Sequence, residues 1–155
     1  MDEPHRSSDA APDPASIRDV YRARAVLEGA GVRRWPVVPE ELRERVRTNL
    51  AALTSAVRAG ASFPQLDEHH RAFHASLVAL TGSPRLVRMA EDLVAELEPA
   101  LARVDRTRPD FHDRADSHTH LVRLLERGDH DAAAHYLARH LADAEVDLLE
   151  SLGLS

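Results

Sequence analysis

The chain has no cysteine and no lysine, one isoleucine (Ile17), one asparagine (Asn49), one tryptophan and only six glycines in 155 residues. Without cysteine, disulfide scaffolds, thiolate zinc fingers, iron–sulfur clusters and cysteine nucleophiles are excluded. The missing lysine and scarce isoleucine and asparagine read as codon bias of a GC-rich genome; all 20 basic residues are arginine. No run of about 20 apolar residues exists, so no membrane-spanning helix is expected. The first fifteen residues are polar and proline-rich, without the charged-then-apolar order of a signal peptide, and a cytoplasmic location is expected. A net charge of −6 does not suggest an electrostatic nucleic-acid binder. There is no glycine-rich phosphate loop, no H-E-x-x-H, no G-x-S-x-G, no internal repeat and no alternating strand pattern.

What the chain does have is helical periodicity and ten histidines. Its length suits one domain with a core of its own. Residues 1–15 read as a flexible arm, and residues 16–152 as a single helical domain. The first helix opens at Ser16, a candidate cap, and places Ile17, Val20, Tyr21, Arg24, Leu27 and Glu28 on one face. Gly29 and Gly31 are expected to end it, and residues 35–39 to form a linker. Helices are then expected from Pro39–Glu41 to Gly60, over Pro64–Leu80 and over Pro84–Val104, the last with a kink at Pro99. Two more are expected over Phe111–Glu126 and Asp129–Ser151. The prediction is an all-α antiparallel bundle of six to seven helices.

Four histidines fall on faces that can turn inward. His70 and His74 lie four apart, about 40° from each other around a helix, so both can reach one point. Asp67, seven before His74, points the same way. His118 aligns with Leu121, Val122 and Leu125, and His140 with Leu137, Leu141 and Ala144. His69 and His120 point elsewhere and are expected in solvent. A lone histidine on an apolar face is usually a satisfied core residue. An i, i+4 pair joined by others from facing helices is the way bundles build metal sites, and neutral imidazole suits Zn, Ni, Cu and Fe.

Several segments together resemble a known family. They are Ile17–Glu28 with its Arg24 four before Glu28, then Arg71-Ala72-Phe73-His74-Ala75-Ser76-Leu77, then Thr81-Gly82-Ser83-Pro84-Arg85-Leu86. His118, ten before Gly128-Asp129, and His140-Leu141 follow in order. The stretch from Ser16 to Leu149 is similar to the FCD domain, the helical ligand-binding module of FadR-type regulators in the GntR superfamily. The resemblance implies a buried metal, often Zn or Ni, held by an Asp and three His; with the imidazole chemistry, one divalent transition metal, Zn, Ni or Fe, is expected. Carried over position by position, the three histidines are His74, His118 and His140. The family's Asp, in D-x-x-F-H, falls on His70. Either His70 is a fourth imidazole ligand or Asp67 reaches in from the preceding turn; imidazole in place of carboxylate makes the site one unit more positive. The resemblance also implies a small carboxylate ligand, for which Arg24 is the matching arginine; its other role would be a pair with Glu28. Many relatives carry a basic residue near the position of Glu98.

FadR-type regulators place a winged helix-turn-helix ahead of this domain. The residues before Ser16 are too few and too polar to form one, so no direct nucleic-acid binding is expected from this chain; a homodimer is expected by analogy. The primary functional expectation is thus a metal-dependent carboxylate-binding domain. The alternative is a stand-alone metalloenzyme of lyase, isomerase or hydrolase type, with Asp67, Glu28 or His120 as base. A third reading is a partner-binding bundle with a structural metal.

Overall fold

A computed structural model describes residues 12–104 and 108–154, with the backbone alone for 108–114. Among these residues the fold is entirely helical: α1 Pro14–Arg33, α2 Glu40–Arg58, α3 Phe63–Ala79, α4 Pro84–Glu96, α5 Glu98–Leu101, α6 Arg108–Glu126 and α7 His130–Ser151. A 3-10 turn, Trp35–Val37, joins α1 to α2. No helix of the described residues is long and apolar enough to cross a membrane. The expected all-α bundle is what the chain forms. Residues 1–11 of the expected arm lie outside the described residues.

Local chemistry explains three helix starts and one turn between helices. Asp13, rather than the expected Ser16, caps α1: its carboxylate accepts from the Ala15 amide, and Pro14 supplies a preset φ in the first turn. Ser62 and Gln65 form a reciprocal capping box at the start of α3. Ser83 accepts from the Leu86 amide ahead of α4. Gly128, at φ 84°, makes the left-handed turn between α6 and α7 that a side chain would resist.

Some expected boundaries move, among them the start of α6, which lies at Arg108 rather than Phe111. Gly29 and Gly31 do not end α1, which continues to Arg33. Gly31 is needed for another reason: a Cβ there would lie 1.9 Å from the Leu77 carbonyl oxygen of α3. It is a point of close helix approach, where packing holds the helix together despite glycine's weak propensity. The expected fourth helix is instead two, because Pro99 cannot donate to the preceding turn, and the break comes just before it at Leu97. The expected linker does connect α1 to α2, and two of its residues, Trp35 and Val38, are buried in the core.

The core forms where the predicted stripes meet. α1 packs against α7, α3 and α4; α3 packs against α2 and α4; α6 packs against α2 and α7. Ile17, Val20 and Tyr21 of α1 join Phe73, Leu77 and Leu80 with Leu121, Leu125, Leu137 and Leu141 in one cluster. Leu53, Val57, Leu66 and Ala115 form a smaller one between α2, α3 and α6. Burying such side chains contributes roughly 1.5–3 kcal/mol each. That leaves α3 in the centre with its inward face fixed, which is what places its two histidines.

Candidate metal centre

Three helices deliver imidazoles to one spot. The i, i+4 spacing on α3 brings the Nε2 atoms of His70 and His74 to 3.2 Å. His118, on α6, brings its own Nε2 to 2.9 Å from that of His74. The three form a group whose candidate ligand atoms all lie within 4.8 Å of one another. His140 of α7 adds a fourth ring, 4.7 Å between centroids from His118 and stacked at 5.8 Å on His74. His74 and His118 are buried, while His70 and His140 are half-buried. Phe73 lies edge-on to both His74 and His118 at 5.6 and 4.9 Å and walls the cluster on the core side.

The side chains fit a divalent transition metal. Metal–nitrogen bonds of about 2.0–2.1 Å set tetrahedral ligand nitrogens ~3.3 Å apart, close to the spacings between these Nε2 atoms. Imidazole is the right donor for such an ion, and the far nitrogen of one ring already has the kind of partner that ligating histidines use: His74 Nδ1 lies 2.6 Å from Glu28 Oε2. Among the described residues, the group within 4.8 Å contains no carboxylate. Asp67, one turn before His70, lines the adjoining cavity.

Glu28 is the residue whose part in the site its spacing did not disclose. Its spacing shows an inward place on α1 and a candidate partner in Arg24, four residues before it, but no contact with a histidine. In the fold it is 2% exposed, with one carboxylate oxygen on His74 and the other accepting from Arg24 Nε at 3.0 Å. Burial pushes its carboxyl pKa up, but the neighbouring His74 and Arg24, by charge and by hydrogen bond, together hold it below the ordinary value. The inward stripe of α1 carrying an Arg and a Glu among Ile17, Val20 and Tyr21 was the available signal, because such groups are rarely buried unless paired.

A cavity of about 730 Å³ opens beside the cluster, large enough for a small organic ligand. Its lining includes Arg24, Asp67, His70, His74 and His140, so it brings together all the predicted site residues except His118. Arg24 is paired with Glu28 and also lines the cavity. Arg71 and Glu98, an ion pair between α3 and α5, stand at the same cavity. Of the two histidines expected in solvent, His120 is exposed and His69 is half-buried; of the remaining four, His135 is exposed, His130 is half-buried, and His5 and His112 lie outside the described side chains.

The fold and the site define an all-α bundle with an imidazole cluster beside an open cavity. The FCD domain model matches residues 19–143, so the chain belongs to the FCD family, the ligand-binding domain of GntR-type regulators. Its fold is similar to that of a protein described as a GntR transcriptional regulator from Rhodococcus sp. RHA1, with TM-score 0.79 and 21% identity over 95% of this chain and 72% of that one. It is also similar to the metal-free FCD domain of TM0439, with TM-score 0.75 and 15% identity over 94% of this chain and all of that one. For E. coli McbR/YncC the TM-score is 0.73 at 19% identity, over 86% of this chain and 64% of that chain. No curated protein matches the sequence.

Proposed function

We propose that this chain is a metal-dependent sensor domain for a small carboxylate. The observation that carries the reading is the meeting of three Nε2 atoms from α3 and α6 at the side of a cavity. His70, His74 and His118 would hold one Zn, Ni or Fe ion, with His140 as the fourth donor. In this reading His70 rather than Asp67 takes the position where family members carry Asp, since its ring is the one inside the cluster. The ion would supply a Lewis-acidic anchor for one oxygen of the ligand. Arg24, at the same cavity and 6% exposed, would receive the carboxylate by charge-assisted hydrogen bonds, which are the stronger class. The sensor reading is preferred to the metalloenzyme because the FCD family is one of ligand-binding domains.

Sensing requires that a ligand bind two states of the domain unequally. The centre joins α3 and α6, and its cavity is lined from α1, α3, α4, α5, α6 and α7, so a ligand there would touch six helices at once. The test is metal analysis of purified protein followed by calorimetric titration with a panel of mono-, di- and tricarboxylates. About one first-row metal per chain is expected, with carboxylate binding that is lost in His74→Ala. A metal-free protein whose stability and ligand binding are untouched by His74→Ala would refute the site.

A further inference from the structure

A cluster of neutral imidazoles can turn lone pairs toward a cation only through nitrogens that carry no proton. In a neutral histidine the hydrogen bond made by one ring nitrogen decides which nitrogen keeps the proton. For His74 that bond is to Glu28. An ionised carboxylate only accepts, so the Nδ1 atom 2.6 Å from Glu28 Oε2 must donate, and it must carry the proton. The Nε2 atom then presents its lone pair to the place where His70 and His118 also bring Nε2.

Glu28 is itself held in place. Its second oxygen accepts from Arg24 Nε one helical turn earlier, and the two side chains are 2% and 7% exposed, so the contact between them is largely shielded from water. The close approach of α1 to α3 at Gly31 and Leu77 keeps this carboxylate within reach of His74. From these contacts we infer that Glu28 is a positioning residue, which fixes His74 as the Nδ1–H tautomer and so prepares the imidazole cluster for a metal ion, with Arg24 as the anchor that orients it. The inference rests on the metal reading proposed above. It gives the buried Arg24–Glu28 pair a task beyond holding α1 together.

Glu28→Gln is the discriminating variant because it keeps the shape and changes one donor. Arg24 Nε needs an acceptor, so the glutamine oxygen turns to it and the amide NH2 faces His74 Nδ1. The ring must then accept at Nδ1, and its proton moves to Nε2, pointing into the cluster. Long-range 1H–15N correlation spectra of the metal-free protein at pH 8 should show His74 as Nδ1–H in the wild type and Nε2–H in Glu28→Gln. Cobalt(II) titrated against a competing chelator should bind the variant 10–100-fold more weakly, the range seen when such outer partners are lost.

An Nε2–H tautomer of His74 in the wild type overturns the inference, and so does a Glu28→Gln protein with unchanged tautomer and cobalt affinity. If Glu28→Gln does not fold, the wild-type spectrum still decides. The shorter carboxylate of Glu28→Asp should in addition preserve the Nδ1–H form. If cobalt fails to bind the wild type at all, the metal reading fails, and the assignment of Glu28 as preparing a metal site falls with it, whatever the tautomer. If cobalt binds and the tautomer does not depend on Glu28, only the positioning role fails.

Discussion

Arginine meets glutamate in two places in this fold. On α1, Arg24 and Glu28 are i, i+4 partners with side chains 7% and 2% exposed. On α2, Arg47 meets Glu40 and Glu44 of its own helix and Glu126 of α6, with side chains between 32% and 64% exposed. The second cluster has more partners and a cation–π contact, its guanidinium lying 5.6 Å from the Trp35 ring centroid. Partner number is nevertheless a poor guide to consequence. Exposed pairs gain little over their solvated, mobile alternatives. A buried pair has given up its water, so losing one member strands the other, although the intact pair itself can contribute little net stability. The α1 pair is therefore poor evidence for stabilisation and good evidence for a role, and its third member, His74, points to one.

The comparison can be broken most sharply at Glu28. Glu28→Ala leaves the Arg24 charge buried without its carboxylate and should cost about 3–5 kcal/mol in denaturant unfolding of the metal-free protein. A loss under about 1 kcal/mol would mean that water reaches Arg24 readily and that the two clusters are alike. The acid limb of the same measurement adds a sign. Folding lowers the Glu28 pKa below its ordinary 4.5, so its contribution is fully present above that value and lost as pH falls through the lower folded value. The stability gap between wild type and Glu28→Ala should accordingly narrow below pH ~4.5; a gap that stays constant on acidification would contradict it.

Gly31→Ala sharpens the comparison through helix spacing. The added methyl meets the Leu77 carbonyl and must push α1 from α3, at an expected cost of about 1–3 kcal/mol. If the buried chain depends on that spacing, cobalt affinity should fall along with stability; unchanged affinity would uncouple the two. The smallest effect is expected at Arg47→Ala, about 0–1 kcal/mol and shrinking further in high salt. A salt-independent loss above 2 kcal/mol there would show that the surface cluster behaves like the buried one.

How much was legible beforehand depended on whether a signal is local. A period of 3.6 residues is written along the chain, so the stripe Leu42, Val46, Leu50, Leu53 and Val57 of α2 and the set Leu66, Phe73, Leu77 and Leu80 of α3 and its C-cap are legible in the sequence; Leu42 and Leu50 end half-buried and the others buried. The inward direction of His70, His74, His118 and His140 was readable for the same reason. Gly31 misled, since a glycine that ends a helix and one that admits a neighbouring helix look alike in one dimension. Residues 35–39 are a linker in sequence and structure alike, but a proline-containing segment gives no sign that the ring of Trp35 will be covered.

Sequence by itself determined that this chain is a helical bundle without thiol chemistry and with four histidines facing inward, because composition and periodicity are properties of single segments. Tertiary structure alone decided which imidazoles meet, since a 2.9 Å approach between α3 and α6 depends on how helices far apart in the chain pack. It also decided that a carboxylate from α1 would close on His74, 46 residues away. The physical reason is one of range. Helix faces are set over a few residues, whereas a site built from three or four helices exists only where packing brings them together.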